Sequence, residues 1–158
     1  MNFKKIKITK TGGLELAYTR LKTDSEGTVL STEVVEKSKD EVHPDFANAL
    51  QAFQDIVRKD EGYTAKHQIT ITGVSLFSQH ETVIITHTKE IKSGVTARNS
   101  GRINIAESES GLDLIALGKM VENLVKEATA YIVDNKRAQL SIFSPEVVED
   151  GEPVMEAV

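Results

Sequence analysis

Histidine and carboxylate are the side chains through which this chain could bind a metal or move a proton near neutral pH, because its 158 residues include no cysteine. The four histidines are His43, His67, His80 and His87, and none belongs to a helical i, i+4 pair enclosing a glutamate, the spacing that holds zinc. Strand pairing would bring His67 near His87, from opposite ends of a predicted hairpin, yet two imidazoles without a third ligand do not make a metal centre. Glu107 and Glu109 flank Ser108, and Asp40-Glu41 precedes a predicted helix, but loop acids in this arrangement carry no spacing specific for hydrolysis. The ten glycines form no phosphate-cradling pattern. The expectation is a non-enzymatic protein with no catalytic residue, no metal and no cofactor.

Recognition is a different matter, and here the informative stretch is Gln139-Leu140-Ser141-Ile142-Phe143. It resembles the pentapeptide by which many bacterial and phage replication and repair proteins dock on the bacterial DNA sliding clamp, with Ile142 in place of the usual leucine. The resemblance implies that Gln139 hydrogen-bonds in a polar notch while Leu140 and Phe143 enter apolar pockets, with Ser141 bending between them. The competing expectation is an edge strand, since Leu140 and Ile142 alternate with Ser141 over residues 138 to 143. Beyond the pentapeptide, "HPDFANAL", "ITGVSLF" and "NKRAQLSIF" make residues 43 to 143 similar to small proteins of tailed phages and prophages. That resemblance implies a phage origin and assigns no activity.

A second candidate is electrostatic. Lys4, Lys5, Lys7, Lys10, Arg20 and Lys22 stand against Glu15 alone in residues 1 to 22, so this segment could neutralise phosphates, helped by Lys89, Lys92, Arg98 and Arg102. Single-strand binding also calls for exposed aromatic platforms. Aromatic residues make up only 5% of the chain, and Phe46 and Phe53 are needed in the core, so surface lysines that protect a sheet edge are the competing expectation. The net charge of -5 resides in residues 145 to 158, where Glu146, Glu149, Asp150, Glu152 and Glu156 meet no Lys or Arg.

The elements that must carry these groups follow from periodicity. Alternation over Phe3–Lys10 and Leu14–Lys22 around Thr11-Gly12-Gly13 predicts a hairpin, with Ile6 and Ile8 facing Leu14, Leu16 and Tyr18, and Lys5 and Lys7 turned to water. Asp24-Ser25-Glu26-Gly27 is a turn, and Thr28 to Val35 a third strand. His43-Pro44-Asp45 opens a helix whose stripe is Phe46, Ala49, Leu50, Phe53, Ile56 and Val57, closing at Gly62.

The pattern then runs again. His67–Phe77 and Glu81–Glu90 form a hairpin around Ser78-Gln79-His80, with Ile69 and Ile71 expected opposite Val83 and Ile85, and a strand over Val95–Ile105 follows. Ser110-Gly111-Leu112-Asp113 resembles a capping box ahead of a helix with the stripe Leu117, Met120, Val121, Leu124, Val125, Ala128 and Ile132, stopped by Asn135. Gly118 inside it suggests close packing. One-sided strands and helices bury their apolar faces together, which predicts a two-layer α+β domain over residues 1–143. It has an antiparallel sheet of about six strands and two amphipathic helices on one face, as a βββα-βββα pseudo-repeat. Residues 144–158 are expected to be a disordered acidic tail.

No run reaches the roughly 18 to 20 apolar residues of a membrane span, so a protein of the bacterial cytoplasm with no membrane partner is expected. The function expected is a phage-type adaptor in DNA replication or repair, docked on the sliding clamp through residues 139–143, with DNA contacted by the basic hairpin. The alternative is an oligomeric anti-defence protein that binds a small ligand or a host protein. A third is a structural subunit whose final strand pairs with a neighbouring copy.

Overall fold

A computed structural model describes residues 1–105 and 113–137. The strands are β1 (Asn2–Ile8), β2 (Leu14–Thr23), β3 (Val29–Ser38), β4 (Ile69–Phe77), β5 (Thr82–Ile91), β6 (Gly94–Asn99) and β7 (Ile103–Asn104). They form one antiparallel sheet in the order β3-β2-β1-β4-β5-β6, with β7 beside β5. Between β3 and β4 lie α1 (Pro44–Gln51) and α2 (Gln54–Glu61), and α3 (Leu114–Val133) follows β7. The fold is α+β. No described helix is long and apolar enough to cross a membrane.

The first hairpin forms as its alternation requires, with Ile6 opposite Leu16 and Ile8 opposite Leu14. Strict alternation would put Phe3 on the Lys5 face, away from Ile6. A bulge between Phe3 and Lys5 turns it back, so that Phe3 is buried with its ring 5.4 Å from Tyr18. Gly12 supplies the positive φ of the turn, at 87°. Gly13 is needed for another reason: a Cβ there would lie 2.1 Å from the Ser38 carbonyl oxygen.

The second hairpin has a different register from the one alternation suggests. Val83 and Ile85 lie opposite Leu76 and Val74, whereas Ile69 and Ile71 lie opposite Lys89 and His87. A bulge between Ile71 and Gly73 shifts the inward set, and Ile69, Ile71, Val74 and Leu76 all remain buried. The strand expected over 95–105 is split into β6 and β7 around Ser100. Ser100 is buried, and its Oγ accepts the Ile85 N–H at 2.8 Å, replacing the missing ladder bond at the break.

The helix expected after Pro44 is interrupted at Ala52-Phe53. Its cap is as the sequence implies: His43 Nδ1 accepts the Asp45 N–H at 3.0 Å, Pro44 begins the helix, and Gly62 closes α2 at φ 71°. All six stripe residues are buried, because the break re-aims α2 while keeping Phe53 inward. In α3 the cap is Asp113, whose side chain accepts the Ala116 N–H at 3.0 Å; Ser110 to Leu112 lie outside the described residues. Leu117, Val121, Leu124, Ala128 and Tyr131 are buried, with Met120, Val125 and Ile132 packed beside them. Full burial of each leucine contributes about 1.5–3 kcal/mol. Asn135 makes the left-handed turn at φ 55°. One core cluster joins the inward sheet face to the three helical segments.

Candidate functional site

The sheet supplies the most distinctive geometry where β1 and β4 part. They pair only from Lys5–Ser75 to Lys7–Gly73, and beyond this point the strands diverge. Gln51 of α1 fills the gap with its amide: Nε2 donates to the Ile71 carbonyl at 2.8 Å, and Oε1 accepts the Ile71 N–H at 3.0 Å. Oε1 also accepts from Gln54 Nε2 at 2.9 Å, which fixes the amide orientation. A helix side chain therefore mimics a missing strand residue.

Beside this join lies a cleft of about 520 Å³, bordered by Lys7, Lys10, Thr70, Thr72, Thr86 and Thr88, with Ile8 and Ile71 below. The hydroxyls are partly committed, since Thr72 Oγ1 donates to the Thr86 carbonyl at 3.2 Å and Thr86 Oγ1 donates to Asn99 Oδ1 at 2.8 Å. The cleft combines a mainly apolar surface with two lysines among its lining residues, which suits a small amphipathic anion.

The six cations of the basic hairpin do not gather on one surface. Lys5 and Lys7 lie on the sheet face opposite the helices, and Lys10 lies at the adjoining turn. Arg20 and Lys22 share the parity of the inward set of β2 but lie near its other, exposed end, about 17–24 Å along the strand from Glu15. Lys4 pairs with Glu33 at 3.1 Å and Lys5 with Glu15 at 3.2 Å. The bond from Lys5 holds the Glu15 carboxyl below its ordinary range.

The histidines divide in role. His80 Nε2 accepts the Phe3 N–H at 3.1 Å, and burial holds this imidazole below its ordinary pKa. His67 Nδ1 serves the Thr64 N–H at 3.0 Å. His87 is fully buried, with Nε2 3.2 Å from the Tyr63 hydroxyl. The expected approach of His67 to His87 is mediated by Tyr63, whose ring centre lies 5.4 Å from one and 5.7 Å from the other. Among the described residues no three His, Asp or Glu side chains group to hold a metal.

The pentapeptide Gln139, Leu140, Ser141, Ile142 and Phe143 lies outside the described residues, as does the acidic segment after it. What precedes it is firmly held. Lys136 Nζ contacts Asp45 and Glu127, each at 3.0 Å, tying the end of α3 to the start of α1. The same contact lowers the Asp45 pKa and raises that of Lys136. Arg137 stacks its guanidinium 4.0 Å from the Tyr131 ring centre, donates to the Tyr131 hydroxyl and reaches Ser38 Oγ at 3.3 Å. Its backbone forms an isolated antiparallel bridge with Val42. Sequence reasoning missed Gln51, Ser100 and Tyr131; only Tyr131 left a signal, because 117, 121, 124, 128 and 131 follow helical spacing.

Compared with protein-family models, with curated proteins and with solved structures, the chain matches none.

Proposed function

We propose that the chain is a non-enzymatic, phage-type adaptor of DNA replication or repair that binds the bacterial sliding clamp through Gln139, Leu140, Ile142 and Phe143. The observation that supports this reading is the position of the pentapeptide in the sequence, separated by one residue from Arg137, a residue fixed to the body through Tyr131, Ser38 and Val42. A short recognition peptide gains affinity when its root is held and its side chains meet preformed pockets, because less freedom is lost on binding. The described residues also bury a continuous core of their own, from both sheet halves and all three helical segments. In this reading any DNA contact falls to Lys7, Lys10, Arg20 and Lys22, since Lys4 and Lys5 already have acidic partners. The two halves are read as a topological pseudo-repeat, which the strand order β3-β2-β1-β4-β5-β6 supports and the separate β7 complicates.

Titration of purified sliding clamp with the intact chain tests the adaptor role. Micromolar binding, about 8 kcal/mol, is expected, with at least a tenfold loss for Gln139→Ala or Phe143→Ala. Unchanged binding in both variants would overturn it.

The cleft of about 520 Å³ favours a second reading, an oligomeric anti-defence protein that binds a small ligand. Native mass spectrometry of the protein from infected cells selects this reading if a closed oligomer retains a small anion.

A further inference from the structure

β3 forms one edge of the sheet, and all ten of its residues pair with β2, from Leu14–Ser38 to Thr23–Val29, without a bulge. It contains no proline either, so it lacks two of the devices that keep a strand edge from pairing with another chain. The backbone groups it presents outward follow from its two ends. The Asp24 N–H donates to the Thr28 carbonyl at 2.9 Å, and the Ser38 carbonyl lies against Gly13 at the start of β2, so the even-numbered residues of this segment bond toward β2. Alternation along an antiparallel ladder then leaves the N–H and C=O groups of Val29, Ser31, Glu33, Val35 and Lys37 facing outward. The side chains of these five residues are all exposed.

The edge is mostly polar and charged, so charge must select what pairs with it. Two copies of one chain meet through the same surface about a two-fold axis, and outward backbone groups can meet only outward backbone groups, which places the axis on a residue. Centred on Glu33, Glu36 or Lys37, the pairing would set like charges directly opposite each other. Centred on Ser31, Thr32 or Val34, it would bring no opposite charges together. Centred on Val35, it sets Glu33 of each copy opposite Lys37 of the other. Both are available: Glu33 is held by Lys4 in an exposed pair in which the Glu33 side chain stays 77% accessible, and Lys37 makes no salt bridge among the described residues.

We infer that the protein forms a two-fold symmetric dimer by antiparallel pairing of β3 with β3 of a second copy, over residues 32–38 with Val35 on the axis. The Glu33–Lys37 and Val35–Val35 pairs then exchange backbone bonds, and Thr32 stands opposite Ser38. Val34 stands opposite Glu36, whose carboxylate keeps the Tyr18 hydroxyl at 3.4 Å. The two sheets continue into one, with main-chain bonds giving affinity and the crossed charges fixing the register. A ladder of this length makes a small interface, so a dissociation constant on the order of tens of micromolar is expected.

Sedimentation velocity of the full chain, from about 5 to about 500 µM, should show monomer converting to dimer. Lys37→Glu or Glu33→Lys alone sets like charges opposite and should weaken the dimer at least tenfold, and the two together should restore it to within about threefold. Monomer at every concentration overturns the inference, as does a dimer that neither single substitution weakens. The absence of cysteine gives a second readout that does not rely on charge. Val35 and Val29 are 61% and 62% exposed on the same strand, but only Val35 lies on the axis. Under mild oxidation Val35→Cys should form covalent dimers at least tenfold faster than Val29→Cys at equal concentration; equal rates, or a faster Val29→Cys, overturn the pairing.

The dimer does not depend on the clamp reading. It is measured on the chain alone, so a dimer that never binds clamp keeps this inference and removes the adaptor role, and a monomer that binds clamp does the reverse.

Discussion

Single side chains hold this sheet together where its backbone does not. Gln51 takes both polar groups of Ile71, so Gln51→Leu leaves an N–H and a carbonyl unpaired in a partly buried place. A loss of about 1–3 kcal/mol is expected in urea unfolding, with unchanged m-value. Ser100→Ala should cost a comparable amount, because the Ile85 N–H loses its acceptor. Two glycines make opposite predictions. Gly13→Ala would force a Cβ to 2.1 Å from the Ser38 carbonyl and should prevent β3 from closing on the turn. At Gly118, among the described residues, a Cβ meets Ile105 Cγ2 at an ordinary 3.6 Å, so none of them packs closely enough to require glycine there. Gly118→Ala should stabilise the protein by about 1 kcal/mol in the same assay.

Among the elements, the turn between β4 and β5 stores the strain. Ser78, Gln79 and His80 take successive φ values of 49°, 56° and 74°, a left-handed run without glycine. Each such residue is disfavoured by about 1–2 kcal/mol. Gln79→Gly should therefore raise stability, by about 0.5–1 kcal/mol after allowing for the greater freedom of glycine when unfolded. His80 gives this turn a pH response. Its imidazole must be neutral to accept the Phe3 N–H, and burial lowers its pKa from 6.5 in the folded chain. The unfolded chain then takes up the proton first, so this contribution is complete above about pH 6.5 and declines as pH falls below it. Melting temperatures between pH 7.5 and 5.5 should fall more steeply for the native chain than for His80→Gln. Much at this scale was legible in the sequence: the alternation of β1 and β2, the stripe from Phe46 to Val57, the stops at Gly62 and Asn135. The bulges after Phe3 and Ile71, the break at Ala52 and the roles of Gln51 and Ser100 were not. Except for the break at Ala52, they coincide with bonds between side chain and backbone far apart in sequence, and such bonds leave no periodic trace.

For the molecule as a whole, the pentapeptide was legible as a pattern, whereas the Val42–Arg137 bridge that precedes it in the chain is encoded by no local spacing. The basic hairpin was legible as a charge count only. Alternation and strand length then send Lys5 and Lys7 to one face and Arg20 and Lys22 to the other, so duplex DNA could not engage all six cations at once. Replacing Lys7 and Lys10 together should reduce any DNA affinity and its salt slope by no more than about two phosphate contacts, readable by titration at several salt concentrations. The brief pairing of Lys5 to Lys7 with Ser75 to Gly73 has one more implication. Hairpins assemble from neighbours in sequence, whereas this junction must await closure of a loop of some seventy residues. The two three-stranded meanders should accordingly nucleate independently and merge late, and amide exchange under native conditions should report two protected units with a readily opened border between them.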